Sequence, residues 1–161
     1  VRTLLACLPG DPEKNLIRFT ENLDGNILSD SGEIVEGVRS GSFLVGITLE
    51  ETALKGRAMG ADIAIVYPRE GTSAIPDGTA LIFGTPHREN AEAFLDFVLE
   101  KDVQELLVST LSRRSVRFDI PEPEHLPMES QLGIIDYDVH LAGKDKDSFL
   151  LQWQALIGGR E

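Results

Sequence analysis

Glu50 and Glu51 stand side by side at the end of FLVGITLEET (Phe43–Thr52), with Thr48 and Thr52 on either side. Neighbouring carboxylates can work as an acid/base couple or as ligands for a hard cation. On a helix, however, consecutive side chains point apart, so the two do not converge on one reacting atom. As first-turn acids they would instead complement a helix N-terminus, worth roughly a few tenths of a kcal/mol. Other reactive arrangements are missing. His87, His125 and His140 are scattered without zinc-site spacing. Cys7 is the single cysteine, which excludes an internal disulfide and a multi-cysteine metal site and reads as a small core residue. The sequence has neither a Gly-rich phosphate loop nor a Gly-x-Gly-x-x-Gly. SGSFLVG (Ser40–Gly46) fails the spacing of a nucleophile elbow, and a strand rather than a helix is expected after its serine. The sequence therefore offers no catalytic residue, no metal site and no cofactor motif, and does not read as an enzyme.

Composition narrows the remaining classes. With 27 acidic against 15 basic residues the formal charge is −12. Such a surface repels nucleic acid and anionic membrane, both of which are bound through Lys and Arg on phosphates. A hydrophobic content of 42% with 6% aromatics suits an ordinary aliphatic core, and 161 residues suit one domain. No apolar run approaches the roughly 20 residues of a membrane-spanning helix. The chain opens on Val1 with an apolar stretch, Leu4–Leu8, already under way, as expected of a piece of a longer chain cut inside an element.

The elements that would position Glu50 and Glu51 follow from periodicity. Asp11-Pro12-Glu13 is a helix start, with Leu16, Phe19 and Leu23 on one face and Gly25 as the stop. Ser31-Gly32-Glu33 opens a second helix that ends before Gly41, and Glu50–Met59 a third that ends at Gly60. Helical spacing returns at Ala91–Leu99, Val103–Leu111 and Asp145–Ile157, while the proline-rich residues 119–131 read as a surface loop. Between the helices lie three short unbroken apolar runs, predicted as adjacent buried strands over 43–48, 62–67 and 79–84. The alternation predicts an α/β fold, a sheet with helices on both faces.

Three stretches in order, VEGVRSGSFLVGIT (Val35–Thr48), GADIAIVYPREGT (Gly60–Thr72) and GTALIFGTPHRENAEAFLDFVLEKDVQELL (Gly78–Leu107), resemble the second half of an ABC-importer extracellular solute-binding protein. LSRRSVRFDI (Leu111–Ile120) and IIDYD (Ile134–Asp138) match a branch of the iron(III)/organophosphate-type group of the class II periplasmic-binding fold. The resemblance covers nearly the whole chain from about Leu16. It implies two α/β lobes with a solute cleft between them, this chain supplying the second lobe plus crossing segments. Residues up to about 78 would form the second-lobe core, and the remainder a crossing strand and C-terminal helices.

On that resemblance the ligand-binding residues are Thr48, Glu50, Glu51 and Thr52, at the end of the first apolar run, where open α/β sheets bind ligands. Iron binders of the group place a tyrosine pair near Glu51-Thr52; its replacement here suits a polyol, an amine or a hard cation better. The hinge would comprise Tyr67, Pro68, Glu70, Gly71 and Thr72, its stiff prolines confining bending to a few residues. The implied partners are a small-molecule or ion solute of the iron(III), sugar phosphate or phosphonate class, an ABC permease in the membrane, and a first lobe upstream of Val1. Nucleic acid and cofactors are not among them. Alone, this piece is expected to bind solute weakly and to self-associate through uncovered apolar faces. The implied location is outside the cytoplasm, periplasmic or at the cell surface, where a lipid anchor is one means of retention. An effector domain of a transcription regulator, or an enzyme built on the same lobes, are the competing readings. Arg113 and Arg114, ending a helix, are expected either to stay solvated or to pair with an acid such as Asp136 and anchor the tail helix.

Overall fold

The computed structural model describes residues 1–158. Eight α-helices occur among them: α1 Arg2–Cys7, α2 Pro12–Leu23, α3 Ser31–Arg39, α4 Glu50–Ala58, α5 Arg88–Val98, α6 Lys101–Leu111, α7 Val139–Lys144 and α8 Lys146–Gly158. A short 3-10 turn covers Glu129–Gln131. The chain divides into two compact units. One comprises Val1–Ser29, Val66–Ala74 and Leu132–Glu161; the other comprises Asp30–Ile65 and Ile75–Gln131.

Three helices, α2, α3 and α7, begin after an aspartate whose side chain satisfies free N–H groups of the first turn. Asp11 accepts from Glu13 N and Lys14 N to start α2, with Pro12 at the first helical position. Asp30 accepts from Gly32 N to start α3. At the far end of α2, Asp24 and Gly25 both take positive φ, which stops the helix where the sequence places its glycine.

In the first unit α2 is the central element, packed on α1 and α8. Leu16 is 1% exposed, and the Phe19 and Trp153 rings lie 6.3 Å apart. Arg2 ties α1 to the start of α8 through Asp145 at 3.1 Å and lies over the Phe149 ring. The 66–74 segment is fastened to the tail by a parallel bridge between Thr72 and Ile134. Gly71 is required there. Its φ is +120°, and a Cβ would stand 2.6 Å from Gly133 O.

In the second unit α3 packs on α4 and α5 on α6. A Cβ on Gly56 would lie 2.5 Å from Val35 Cγ1, so the missing side chain is what lets α4 approach α3. Val35, Ala53 and Leu54 are buried in this contact.

The expectation of an α/β fold with a sheet is wrong for this structure. It is 51% helical with 1% strand, and no sheet is present among the described residues. The runs at 43–48, 62–67 and 79–84 form no ladder, and none of their residues is in a helix or strand. Leu44 is 100% exposed, and Val45, Ile82 and Phe83 are largely or fully exposed. The physical reason is that an unbroken apolar run states a preference for cover, whereas a strand also needs a neighbour for its backbone N–H and C=O groups. That neighbour is non-local and leaves no mark within the run. One trace of strand character persists without pairing: Ile63, Ile65 and Tyr67 are half-buried, while Asp62, Ala64 and Val66 between them are exposed.

Candidate functional site

The four residues singled out as ligand-binding, Thr48, Glu50, Glu51 and Thr52, all lie at the N-terminus of α4 in the second unit. No strand end supports them. Their setting is the meeting of α4 with the start of α3. Thr48 Oγ1 donates to Ser31 O at 3.2 Å, and Ser31 Oγ and Thr52 Oγ1 share a hydrogen bond of 3.2 Å. Three hydroxyls are thus collected beside two helix N-termini. Leu49 occupies the N-cap position of α4 and makes no side-chain cap bond, so the positive end of this helix is not neutralised by its own cap.

Glu50 and Glu51 diverge, as adjacent helical residues must, and each meets one arginine of the pair that follows α6. Arg114 holds Glu50 bidentately, with Nε donating to Oε2 at 3.1 Å and Nη2 to Oε1 at 3.0 Å. The same guanidinium donates to Glu122 Oε2 and, at 2.9 Å, to Pro127 O. Its side chain is 18% exposed and that of Glu50 28%. Arg113 donates from Nε to Glu51 Oε2 at 2.9 Å and from Nη1 to Asp77 Oδ2 at 2.7 Å. The hydrogen bonds to Glu51 and then Asp77 raise the Arg113 guanidinium above its ordinary, already high value, so it stays charged at every working pH.

Two cations, each between two carboxylates, therefore stand at the α4 N-terminus, leaving two negative charges in excess. Sequence reasoning missed Arg113 and Arg114 as members of this cluster. They do pair with acids, but the partners are Glu50, Glu51, Asp77 and Glu122, none of them on the tail. The available signal was a doubled arginine in an acidic chain, which promises acidic partners without saying which.

Among the described residues no group of three or more His, Cys, Asp or Glu side chains is arranged to hold a metal ion. The residues expected to form a hinge, Tyr67, Pro68, Glu70, Gly71 and Thr72, lie in the first unit, inside the 66–74 segment, where Thr72 N donates to Gly133 O at 2.9 Å. No helix among the described residues is long and apolar enough to cross a membrane.

Residues 9–139, more than four-fifths of the sequence, match a family described as bacterial extracellular solute-binding protein. The chain belongs to that family. The solute-binding protein accordingly works outside the cytoplasm, in the periplasm or at the cell surface. Its family is one of ABC-transporter solute-binding proteins and is generally non-enzymatic. No curated protein and no solved structure gives a significant match to the solute-binding protein.

Proposed function

We propose that this protein is the solute-capturing component of an ABC importer, turning nothing over, and that it delivers a small polar solute to a membrane permease. The α4 N-terminus, with Thr48, Glu50, Glu51 and Thr52, is its solute site, joined by Arg113 and Arg114. Of the solute classes that the resemblance implies, the phosphate- and phosphonate-bearing ones match the donors of this site, its guanidinium and helix N–H groups, better than iron(III) does, despite the two negative charges in excess. The observation behind this choice is that both carboxylates a cation would need are already held by guanidinium groups. A guanidinium fork matches a phosphate oxygen pair, and an uncapped helix N-terminus adds N–H donors of the same polarity. Asp77, whose side chain is 80% exposed, is the least committed partner of Arg113 and the first that a solute oxyanion would replace.

The hinge role of Tyr67, Pro68, Glu70, Gly71 and Thr72 belongs to the same reading. It is supported by the chain's change of unit between Ile65 and Val66 and again between Ala74 and Ile75, immediately around them. A thermal-shift and calorimetric series with glucose 6-phosphate, 2-aminoethylphosphonate and ferric citrate, at up to millimolar concentration, tests the proposal. Saturable stabilisation by the first two, lost in Arg113→Gln, is the expected result. Saturable binding of ferric citrate alone would replace the phosphate reading with the cation one.

A further inference from the structure

The short stretch that carries the two arginines is fastened to α6 at both ends. On one side Ser112 takes a left-handed conformation at φ 53°, and its N–H donates to Leu107 O. On the other, Gln104 reaches out from α6. Its Oε1 accepts from Ser115 Oγ at 3.0 Å and from Val116 N at 3.4 Å. Its Nε2 donates to Val98 O, at the end of α5, at 2.7 Å. Gln104 is 7% exposed, one of two buried polar residues among those described. A buried amide is costly unless both of its ends are used, and here both are.

Only Arg113 and Arg114 lie between these fastenings. They project from a chain whose exit from α6 is fixed on each side, and so arrive at Glu51 and Glu50. We infer that Gln104 is a positioning residue: by clasping Ser115 and Val116 it sets the direction of the Arg113–Arg114 pair and thereby shapes the Thr48–Thr52 site. A buried glutamine satisfied by its own helix hairpin would need no bond to the residues after Arg114. This one spends its acceptor entirely on them. The functional consequence rests on the solute-site reading above, but the geometry can be tested with no solute present.

The test is a proton–nitrogen correlation spectrum of the arginine Nε–Hε groups in the whole 161-residue chain. The single variants Arg113→Lys and Arg114→Lys assign the two signals. In the wild type both should be displaced from the free-arginine position and exchange slowly with water. Gln104→Met keeps the side-chain length and loses the amide. It should move both signals to the free-arginine position and speed their exchange at least about tenfold, as an opened ion pair requires. Ser115→Ala, a milder change at a half-buried position, should shift them the same way by less. Gln104→Met folded by circular dichroism with both signals unmoved overturns the assignment. If Gln104→Met does not fold, unmoved signals in Ser115→Ala do the same. A wild type that binds none of the phosphate compounds, with signals that respond as expected, removes the solute reading and leaves the role of Gln104 standing.

Discussion

Removing the Arg114 guanidinium is the sharpest perturbation of the α4 cluster. Two opposite charges about 4 Å apart attract by about 4 kcal/mol at the effective dielectric typical of protein surfaces. Desolvation and the ordering of two long side chains offset most of that. Exposed pairs consequently measure only about 0.2–1 kcal/mol, whereas stripping one partner from a buried pair costs about 3–5 kcal/mol. Arg114 and Glu50, at 18% and 28% exposure, lie nearer the buried case. Arg114→Ala also leaves Glu122 without its countercharge and Pro127 O without its donor. The expected loss is about 2–3 kcal/mol, or roughly 4–12 °C in Tm for a chain of this size. Urea unfolding followed by circular dichroism at 222 nm measures it, and a double-mutant cycle with Glu50→Ala should give a coupling of about 1–2 kcal/mol. Arg39→Ala, which removes an exposed helix-surface pair with Glu36, is the control and should be indistinguishable from wild type. An Arg114→Ala variant no less stable than that control would refute the claim that the cluster holds α4 in place.

Leu16→Ala should cost about 2–4 kcal/mol, because the residue fills the α2 contact with almost no exposure, while Leu44→Ser should leave the urea midpoint unchanged. A comparable loss at Leu44 would mean that the 43–48 segment is covered after all. Asp11→Ala removes the acceptor for Glu13 N and Lys14 N and should cost about 1 kcal/mol in the same assay; Asp11→Asn should recover most of it, and no recovery would argue against a capping role. Burial, with a smaller contribution from Glu70, pushes the Cys7 thiol above its ordinary value. The sign follows: the preference for the neutral thiol is fully present below the unfolded thiol value and is lost as pH rises through the folded one. Alkylation by iodoacetamide should therefore have its half-maximal rate at higher pH in the native chain than in urea, and an equal or lower midpoint would contradict this.

Features written by neighbouring residues were legible in the sequence. Asp11-Pro12-Glu13 contains both the acceptor and the ring constraint that start α2, and Gly25 and Gly60 supply positive φ at the ends of α2 and α4. None of these needs information from elsewhere in the chain. The apolar runs at 43–48, 62–67 and 79–84 carry a different kind of information. Each demands cover, yet the partner that would make it a strand is not encoded in the run, and here the demand is left open at Leu44 and Phe83.

The candidate site divides along the same line. Its position at the start of α4 was readable because Glu50, Glu51 and Thr52 open a helix, and helix openings gather N–H donors. Its electrostatics were not, because Arg113 and Arg114 come from more than 60 residues away. What places them is a turn at Ser112 and one buried amide at Gln104, and a glutamine inside α6 looks in sequence like any helix-compatible polar residue. The resemblance supplied what local chemistry could not, namely that the cluster belongs to a protein that captures solutes. On the proposal above, local chemistry narrows what the resemblance left open. With Glu50 and Glu51 both engaged by arginine, a cation must break one of the better-covered ion pairs to enter. An oxyanion would break only the Arg113–Asp77 pair, whose carboxylate is the most exposed of the four.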